Sequence, residues 1–207
     1  LFETMGKGTF IAGKTSEIST LGAECGIRVV DFLGREDMAV QNAIPTAEGA
    51  IQIAMEKTPY TLNGSNILIL GYGRVGKYLA RMLAGIGAKV WVTARKFSDL
   101  AWIESMGYNP VTYNELREKL GIMDIIFNTV PCMVLGESEL RRVNRSCLII
   151  DLASKPGGVN FKCAEELGIN TIWALSLPGK VAPVTAARIM KNTIYNIIEE
   201  SRVQNAF

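Results

Sequence analysis

A glycine-spaced segment in the middle of the chain constrains the fold more than any other feature. Residues 67–70 form a short apolar run, and Gly71, Gly73 and Gly76 follow it with the spacing G-x-G-x-x-G. Apolar residues then recur with helical spacing over residues 77–86. A strand, a tight glycine turn and a helix start in this order are typical of a site for the pyrophosphate of a dinucleotide. The predicted cofactor residues here are Gly71, Tyr72, Gly73, Arg74, Val75 and Gly76. The alternative is a glycine-tolerant turn that binds no ligand.

The end of the next apolar run indicates which dinucleotide would bind. In NAD-binding proteins an acidic residue ~20 residues further on binds the ribose 2′-hydroxyl. Residues 91–97 contain no acid and carry Arg95, Lys96 and the hydroxyl of Thr93. Because a guanidinium pairs with a 2′-phosphate that a carboxylate would repel, we predict NADP as cofactor, bound by these three residues. The alternative is that Arg95 and Lys96 form a solvated strand end.

Short apolar runs alternate with helical patterns along the chain, which favours an α/β fold. From residue 66 onward the pattern contains six strands with helical crossovers, as expected for a doubly wound parallel sheet, the Rossmann fold. Two strands and a helix before it indicate the remainder of a second, smaller N-terminal α/β domain. Because the chain starts with Leu1 inside this pattern, we expect an N-terminal portion to be missing.

Four segments follow from this pattern. Residues 1–45 are assigned to the truncated N-terminal domain on the substrate side, and 46–63 to an interdomain helix and linker, with Pro45 near the helix start. Residues 64–183 are assigned to the NADP-binding domain. Residues 184–207 are assigned to a C-terminal helix. Its residues expected to be buried are Ala186, Ile189, Met190, Ile194, Ile197 and Ile198.

Three further loops follow predicted strands, and ligands of open α/β sheets lie beyond the carboxyl ends of strands. Residues 128–131 end the fourth strand and are predicted to flank the nicotinamide ribose, with Thr129, Val130 and Pro131 as cofactor residues. Residues 151–158 follow the fifth strand. Residues 176–183, interpreted as a loop, follow the sixth.

Candidate substrate residues lie in these loops and on the interdomain helix. Lys155 and Lys180 are the basic residues best placed to bind an anion, and Gly157 would let the backbone come close to a ligand. The predicted substrate residues are Asn42, Thr46, Lys155 and Gly157, and the candidate catalytic residues are Lys155, Lys180 and Glu48. Each has a plainer alternative: solvent-facing lysines, an ordinary turn at residues 156–158, and Thr46 as a helix cap.

Composition excludes several classes of function. A net charge of +2 from 22 basic and 20 acidic residues gives no reason to expect a nucleic acid or a membrane surface as partner. The chain has no histidine and no C-x-x-C pair, so no metal site is expected. Its cysteines, Cys25, Cys132, Cys147 and Cys163, are interpreted as reduced and mostly buried. Cys132 is assigned to packing because no histidine can activate it as a nucleophile.

Four segments carry a resemblance to a known family. They are residues 43–49 (AIPTAEG), 69–74 (ILGYGR), 151–158 (DLASKPGG) and 177–183 (LPGKVAP). With them the chain resembles the family formed by the A subunit of dipicolinate synthase, from about residue 36 to the C-terminus, and the resemblance is expected to cover the whole chain. The last two segments are far more specific than the glycine turn.

The resemblance implies an activity and a setting. Dihydrodipicolinate, or a hydrated precursor, would be oxidised to dipicolinate with NADP⁺ as hydride acceptor, in the mother-cell cytoplasm during sporulation. It implies a small cyclic dicarboxylate as substrate, a flavoprotein-like second subunit (the B component of the synthase) and an oligomer. The proton acceptor stays open among Glu48, a water molecule and a residue of the missing N-terminal portion.

Other functions fit the same pattern. D-2-hydroxyacid dehydrogenases share the layout but use a histidine near the last loop, where this chain reads Pro178-Gly179. An NADP-dependent enzyme similar to alanine dehydrogenase is a weaker rival. A catalytically silent NADP-binding regulatory subunit is the hypothesis from another class, and the lack of an obvious acid or base supports it.

Overall fold

The structure, a computed structural model, describes residues 8–204. The chain divides into two compact units: Ala43–Val181 forms the larger one, and the smaller one takes the chain up to Asn42 and again from Ala182 onward. The first residues of the predicted segment 1–45 and the last residues of the predicted segment 184–207 lie outside the described residues. The larger unit holds every predicted cofactor residue.

Strands and helices alternate along the described chain. The strands are β1 (Thr9–Ala12), β2 (Arg28–Asp31), β3 (Asn66–Leu70), β4 (Lys89–Thr93), β5 (Asn109–Val111), β6 (Ile125–Asn128), β7 (Leu148–Asp151) and β8 (Asn170–Trp173). The helices are α1 (Ser19–Glu24), α2 (Glu36–Lys57), α3 (Arg74–Ile86), α4 (Phe97–Ser105), α5 (Leu116–Lys119), α6 (Glu137–Leu140), α7 (Phe161–Glu166), α8 (Leu177–Val181) and α9 (Pro183–Gln204).

A six-stranded, fully parallel sheet forms the centre of the larger unit. Its order is β5-β4-β3-β6-β7-β8, so the chain moves outward from β3 in one direction and then returns to its other side with β6. This is the doubly wound order, in which ligands bind beyond the carboxyl ends of the strands where the order reverses. The predicted Rossmann fold is confirmed.

The sheet is covered on both faces, which explains why its strands read as continuous apolar runs. One face packs Ile67 and Ile69 of β3 against Leu79 and Leu83 of α3, all of them fully buried. The other face packs Leu68 and Leu70 into a second cluster of buried apolar residues. At the carboxyl edge the register pairs Leu70 with Asn128, and Asn128 with Asp151, so the loops after β3, β6 and β7 start side by side.

The smaller unit contains a two-stranded parallel sheet of β1 and β2, with Thr9 to Ala12 paired in register with Arg28 to Asp31. Arg35 lies between two carboxylates: its guanidinium donates to Asp37 at 3.0 Å and to Glu200 of α9 at 2.7 Å. The hydrogen bond from Arg35 lowers the pKa of Asp37 to about 2. This ion-pair network ties α9 to the start of α2.

Helix α2 corrects the prediction for Pro45. The helix begins at Glu36, so Pro45 lies within it and Thr46 cannot be its N-terminal cap. A proline inside a helix removes one backbone hydrogen bond. Here Ala43, Ala47, Ala50 and Ala54, at most 1% exposed, form a continuous buried stripe that holds the helix together across this position.

Two further corrections concern the C-terminal part. Residues 177–181 form α8 rather than a loop; Leu177 and Val181 pack against Gly49 of α2, an interaction that a five-residue pattern does not reveal. Met190 of α9 is 39% exposed, whereas Ile189 and Ile197 are buried as predicted. Within residues 8–204, no helix has both the length and the apolar character needed to cross a membrane.

Candidate functional site

A cavity of about 300 Å³ opens at the carboxyl ends of β3, β4 and β6, and is called here the glycine-turn cavity. Its lining consists of Gly71, Tyr72, Gly73, Ala94, Arg95, Lys96, Asp99, Tyr113, Thr129, Val130 and Pro131. Eight of these eleven residues are among the twelve predicted to bind the cofactor. The fold thus brings three separate loops of the sequence to one place.

The glycine turn has the geometry that a phosphate site requires. Gly71 has φ +96°, and a Cβ there would lie only 2.8 Å from Thr129 Oγ1 and Val130 Cγ2. No atom lies within 4 Å of the Cβ position at Gly73, so the backbone there is open to the cavity. Helix α3 starts at the next residue, which supplies N–H groups without helical acceptors and the positive end of the helix dipole. The turn therefore fits a pyrophosphate.

Four predicted cofactor residues do not line the cavity. Thr93 is fully buried, and its hydroxyl accepts a hydrogen bond from the Gly71 N–H at 3.0 Å. The prediction that Thr93 contacts the cofactor is therefore corrected: Thr93 holds the backbone of the glycine turn. A Cβ on buried Gly76 would overlap the Gly71 carbonyl oxygen, so Gly76 lets α3 pack onto the strand end. Val75 packs against the apolar core, and Arg74 is exposed on the first turn of α3.

Arg95 and Lys96 are both exposed at the junction between β4 and α4. They line the same cavity as Gly71 and Gly73, as the sequence predicted from their position beyond the second strand. Asp99, in the first turn of α4, is a lining residue that the sequence reasoning missed. An acid there opposes the two cations in part, because it is one carboxylate against two positive side chains.

The aromatic residues of the cavity were not all foreseen. Tyr113 was missed because it follows a three-residue strand, which gives little pattern to interpret. Tyr72 is half-buried, and burial raises the pKa of its hydroxyl, with Tyr108 and Asp99 adding to the rise. Its ring has Lys77 Nζ 5.4 Å from the centroid. Tyr72 is therefore a neutral side chain beside the glycine turn.

An adjoining cavity of about 280 Å³ shares Arg95, Tyr113 and Val130 with the glycine-turn cavity. Its further lining residues are Leu116, Arg117, Cys132, Met133, Val134 and Glu139. Arg117 Nε donates to Glu139 Oε1 at 2.7 Å. Burial acts to raise the pKa of Glu139, but the hydrogen bonds from Arg117 and Ser138 outweigh it and the pKa is lowered. A mostly apolar recess with one ion pair therefore continues from the glycine turn.

The interpretation of the cysteines as mostly buried is wrong for two of them. Cys25 and Cys132 are exposed, Cys163 is half-buried and only Cys147 is buried. Burial raises the pKa of Cys147 to about 12. Cys132 lines the adjoining cavity instead of packing in the core, because the chain turns outward after Pro131.

Two buried polar residues hold the loops that follow β6 and β7. Asn128 and Asp151 are both fully buried, and Asn128 Nδ2 donates to Asp151 Oδ1 at 2.8 Å. Asp151 also accepts the N–H groups of Ala153 at 3.0 Å and Gly158 at 2.8 Å. The sequence placed Asn128 and Asp151 in segments at the site, 128–131 and 151–158, but did not predict that the two side chains bind each other. A polar residue that ends an otherwise apolar strand was the available signal.

Gly157 has a structural role that packing explains, and its predicted contact with a substrate stays a prediction. It is buried with φ +83°, and a Cβ there would lie 2.9 Å from Asp151 Oδ2 and 3.3 Å from Trp173. Its role is therefore to let the loop after β7 fold back over its own strand.

The remaining substrate candidates lie in three parts of the chain: α2, the loop after β7, and α8. Lys155 is exposed in the loop after β7, and Lys180 is exposed on α8. Glu48 is exposed and Thr46 half-buried, both in the middle of α2, while Asn42 is half-buried in the other unit. Their roles stay predictions. Among the residues that the structure describes, no group of three or more cysteine, aspartate and glutamate residues is arranged to hold a metal ion.

Comparison with known proteins agrees with this geometry. Residues 38–154 match the family of D-isomer specific 2-hydroxyacid dehydrogenase, NAD binding domain. The chain is 41% identical over 187 residues to the A subunit of dipicolinate synthase from Bacillus subtilis (strain 168), and the match covers 90% of this chain and 63% of that protein. The resemblance inferred from the sequence is confirmed, and the chain spans less than two thirds of that relative.

Two solved structures give the same result. The dipicolinate synthase A chain of Bacillus subtilis superposes with a TM-score of 0.90 at 39% identity, over 95% of this chain and 66% of that one. The corresponding dipicolinate synthase chain of Bacillus halodurans superposes with a TM-score of 0.86 at 37% identity, over 91% of this chain and 66% of that one.

Proposed function

We propose a function for this chain, which belongs to the D-isomer specific 2-hydroxyacid dehydrogenase family through its NAD binding domain. The chain binds NADP and oxidises dihydrodipicolinate, or a hydrated precursor, to dipicolinate. The observation that carries the proposal is the convergence of Gly71, Gly73, Arg95 and Lys96 on one cavity. The substrate is inferred from the name of the relative that is 41% identical to this chain.

The preference for NADP rests on charge. The 2′-phosphate of NADP carries about two negative charges near neutral pH, as phosphate monoesters do. Arg95 and Lys96 present two positive side chains at the point where the second strand ends, and no acid occupies the strand end itself. Asp99 weakens this preference but does not reverse it, because one carboxylate opposes two cations.

The proposed reaction needs little from the protein beyond placement. NADP⁺, when bound, would accept a hydride. Dihydrodipicolinate becomes aromatic by losing that hydride and a proton, and a hydrated precursor would also lose one water molecule. The chain's own task is to hold the ring against the cofactor and to bind its two carboxylates. The proposed cationic side chains that bind the substrate carboxylates are Lys155, in the loop after β7, and Lys180, on α8. Glu48 is the proposed proton acceptor within this chain.

The setting is part of the same proposal. The relatives are named as one component of a synthase, so we infer a second component. Its flavoprotein-like character and the oligomeric state are what the family resemblance implies. Its proposed location is the mother-cell cytoplasm of a sporulating bacterium. Residues 64–183 are the proposed NADP-binding domain. Residues 46–63 are proposed to link it to the N-terminal domain on the substrate side, of which residues 1–45 are part.

The test is direct turnover. The protein is mixed with NADP⁺ and freshly generated dihydrodipicolinate, with and without its partner component, and NADPH absorbance and dipicolinate are followed together. Equimolar formation of both supports the proposal. Cofactor binding without turnover in either mixture would replace it with a silent NADP-binding protein.

The family match favours one alternative substrate class, the D-2-hydroxy acids. Their oxidation requires removal of a hydroxyl proton, which family members accomplish with a histidine, and this sequence has none. D-lactate and D-glycerate in the same assay serve as the comparison. Turnover of these acids and not of dihydrodipicolinate would select the alternative.

A further inference from the structure

We infer that Asn128 and Asp151 are positioning residues that hold the two loops of the cofactor site, after β6 and after β7, in the shape that receives the nicotinamide half of the dinucleotide. The inference rests on the proposed function, because it takes the loop of Thr129 to Pro131 to contact the cofactor.

Asn128 fixes the backbone of the loop after β6. Its Nδ2 donates to the Val130 carbonyl at 3.0 Å and to Asp151 Oδ1 at 2.8 Å. Its Oδ1 accepts the Val130 N–H at 3.1 Å. Both backbone polar groups of Val130 are therefore bound to one side chain. Val130 lines both cavities, so Asn128 fixes a lining residue without touching the ligand itself.

Asp151 fixes the backbone of the loop after β7. Its two oxygens accept the backbone N–H groups of Ala153 and Gly158 in addition to the amide of Asn128. These residues flank Lys155, the proposed carboxylate-binding side chain. A buried carboxylate that accepts three hydrogen bonds sets the path of this loop at both ends.

The loops after β6 and β7 are in direct contact with each other. Gly158 is packed so closely that a Cβ would overlap Asn128 Nδ2 and lie 2.7 Å from the Val130 carbonyl oxygen. The Gly158 carbonyl in turn accepts the N–H of Val134 at 2.9 Å. Each loop therefore supports the other, and a change in the Asn128–Asp151 pair reaches both.

The pair is at the edge of the sheet where ligands bind, and its register explains why. Asn128 and Asp151 are paired residues at the carboxyl ends of adjacent parallel strands. A chemically similar contact exists at the opposite edge: Asp124 Oδ2 accepts the Asn66 N–H at 2.7 Å beside the start of β6. That contact joins two strands as well, but at the amino ends, and so provides a matched control.

The test compares Asp151→Asn, Asn128→Ala and the control Asp124→Asn. Affinity is measured by titration for NADPH and for adenosine 2′,5′-bisphosphate, which lacks the nicotinamide half, alongside the thermal midpoint. In Asp151→Asn an amino group replaces an oxygen that receives hydrogen bonds, so two donors face each other. Because a buried polar group without a partner is costly, NADPH affinity should fall about tenfold or more, and affinity for the bisphosphate by about threefold at most. Asp124→Asn should lower the thermal midpoint and leave both affinities unchanged.

Several results would overturn the inference. Equal losses of affinity for the two ligands would show a general loss of structure. An equal loss of NADPH affinity in Asp124→Asn would show that the location of the Asn128–Asp151 pair at the carboxyl edge of the sheet is irrelevant. If wild-type protein binds neither ligand, the proposed function fails instead. Hydrogen exchange in the wild-type protein tests the inference without any variant: the N–H groups of Val130, Ala153 and Gly158 should be protected before NADPH is added. Rapid exchange that NADPH then suppresses would contradict a preformed site.

Discussion

The charge reversal Arg95→Asp with Lys96→Ser is the most informative perturbation of the proposed cofactor site. Both side chains are exposed, so their interaction with a 2′-phosphate takes place in a high effective dielectric. An exposed ion pair contributes up to about 1 kcal/mol. Two cations against a doubly charged phosphate, together with the repulsion from the new carboxylate, amount to about 2 to 3 kcal/mol, or a loss of about 30- to 150-fold in affinity.

The assay is calorimetric titration of wild type and double variant with NADP⁺ and with NAD⁺. Affinity for NADP⁺ should fall by that factor, and affinity for NAD⁺ should change by less than about threefold or improve, since the new acid is able to bind the 2′-hydroxyl. The matched control is Lys89→Ser, an exposed lysine at the amino end of the same strand, which should change neither affinity. The wild-type preference should also shrink as salt is raised. Parallel losses for both cofactors would refute the reasoning.

Two further predictions concern other parts of the molecule. Lys155→Ala should raise KM for the dicarboxylate by about tenfold, as expected for one charge-assisted hydrogen bond, and leave NADP⁺ affinity alone; an unchanged KM in steady-state kinetics would assign Lys155 to the solvent. Asp37→Asn should lower the free energy of unfolding by about 1 kcal/mol at neutral pH, a figure reduced for partial exposure. Because the folded pKa of Asp37 is lowered from 3.8 to about 2, its contribution is complete above pH 3.8 and lost as the pH falls through 2. Denaturant titrations should therefore show the wild type and the variant converging near pH 2, and a constant difference would contradict the ion-pair explanation.

Much of the fold follows from local pattern. The runs that became β3, β6 and β7 are apolar on both faces and short, which is the signature of strands covered on both sides. The glycine spacing then fixed the direction of the chain from β3 into α3. What the pattern did not reveal are elements that depend on tertiary contacts, namely α8, which packs on Gly49, and the continuation of α2 through Pro45.

The candidate site was predictable to the extent that strand ends define it. Arg95, Lys96 and residues 129–131 line the cavity because each directly follows a strand. The error at Thr93 has a physical cause: its hydroxyl was assigned to the ligand, but its partner is the backbone N–H of Gly71. A hydroxyl or glycine at a strand end can serve either purpose, and only the packing decides. Asp99 was missed because a helix, rather than a strand end, presents it.

The most direct measurement is a crystal structure of the protein soaked with NADP⁺. The proposed function predicts the pyrophosphate at the turn of Gly71 and Gly73, and the 2′-phosphate within about 4 Å of the Arg95 guanidinium or the Lys96 ammonium. A 2′-phosphate directed into solvent, or a glycine turn without density for the cofactor, would contradict it.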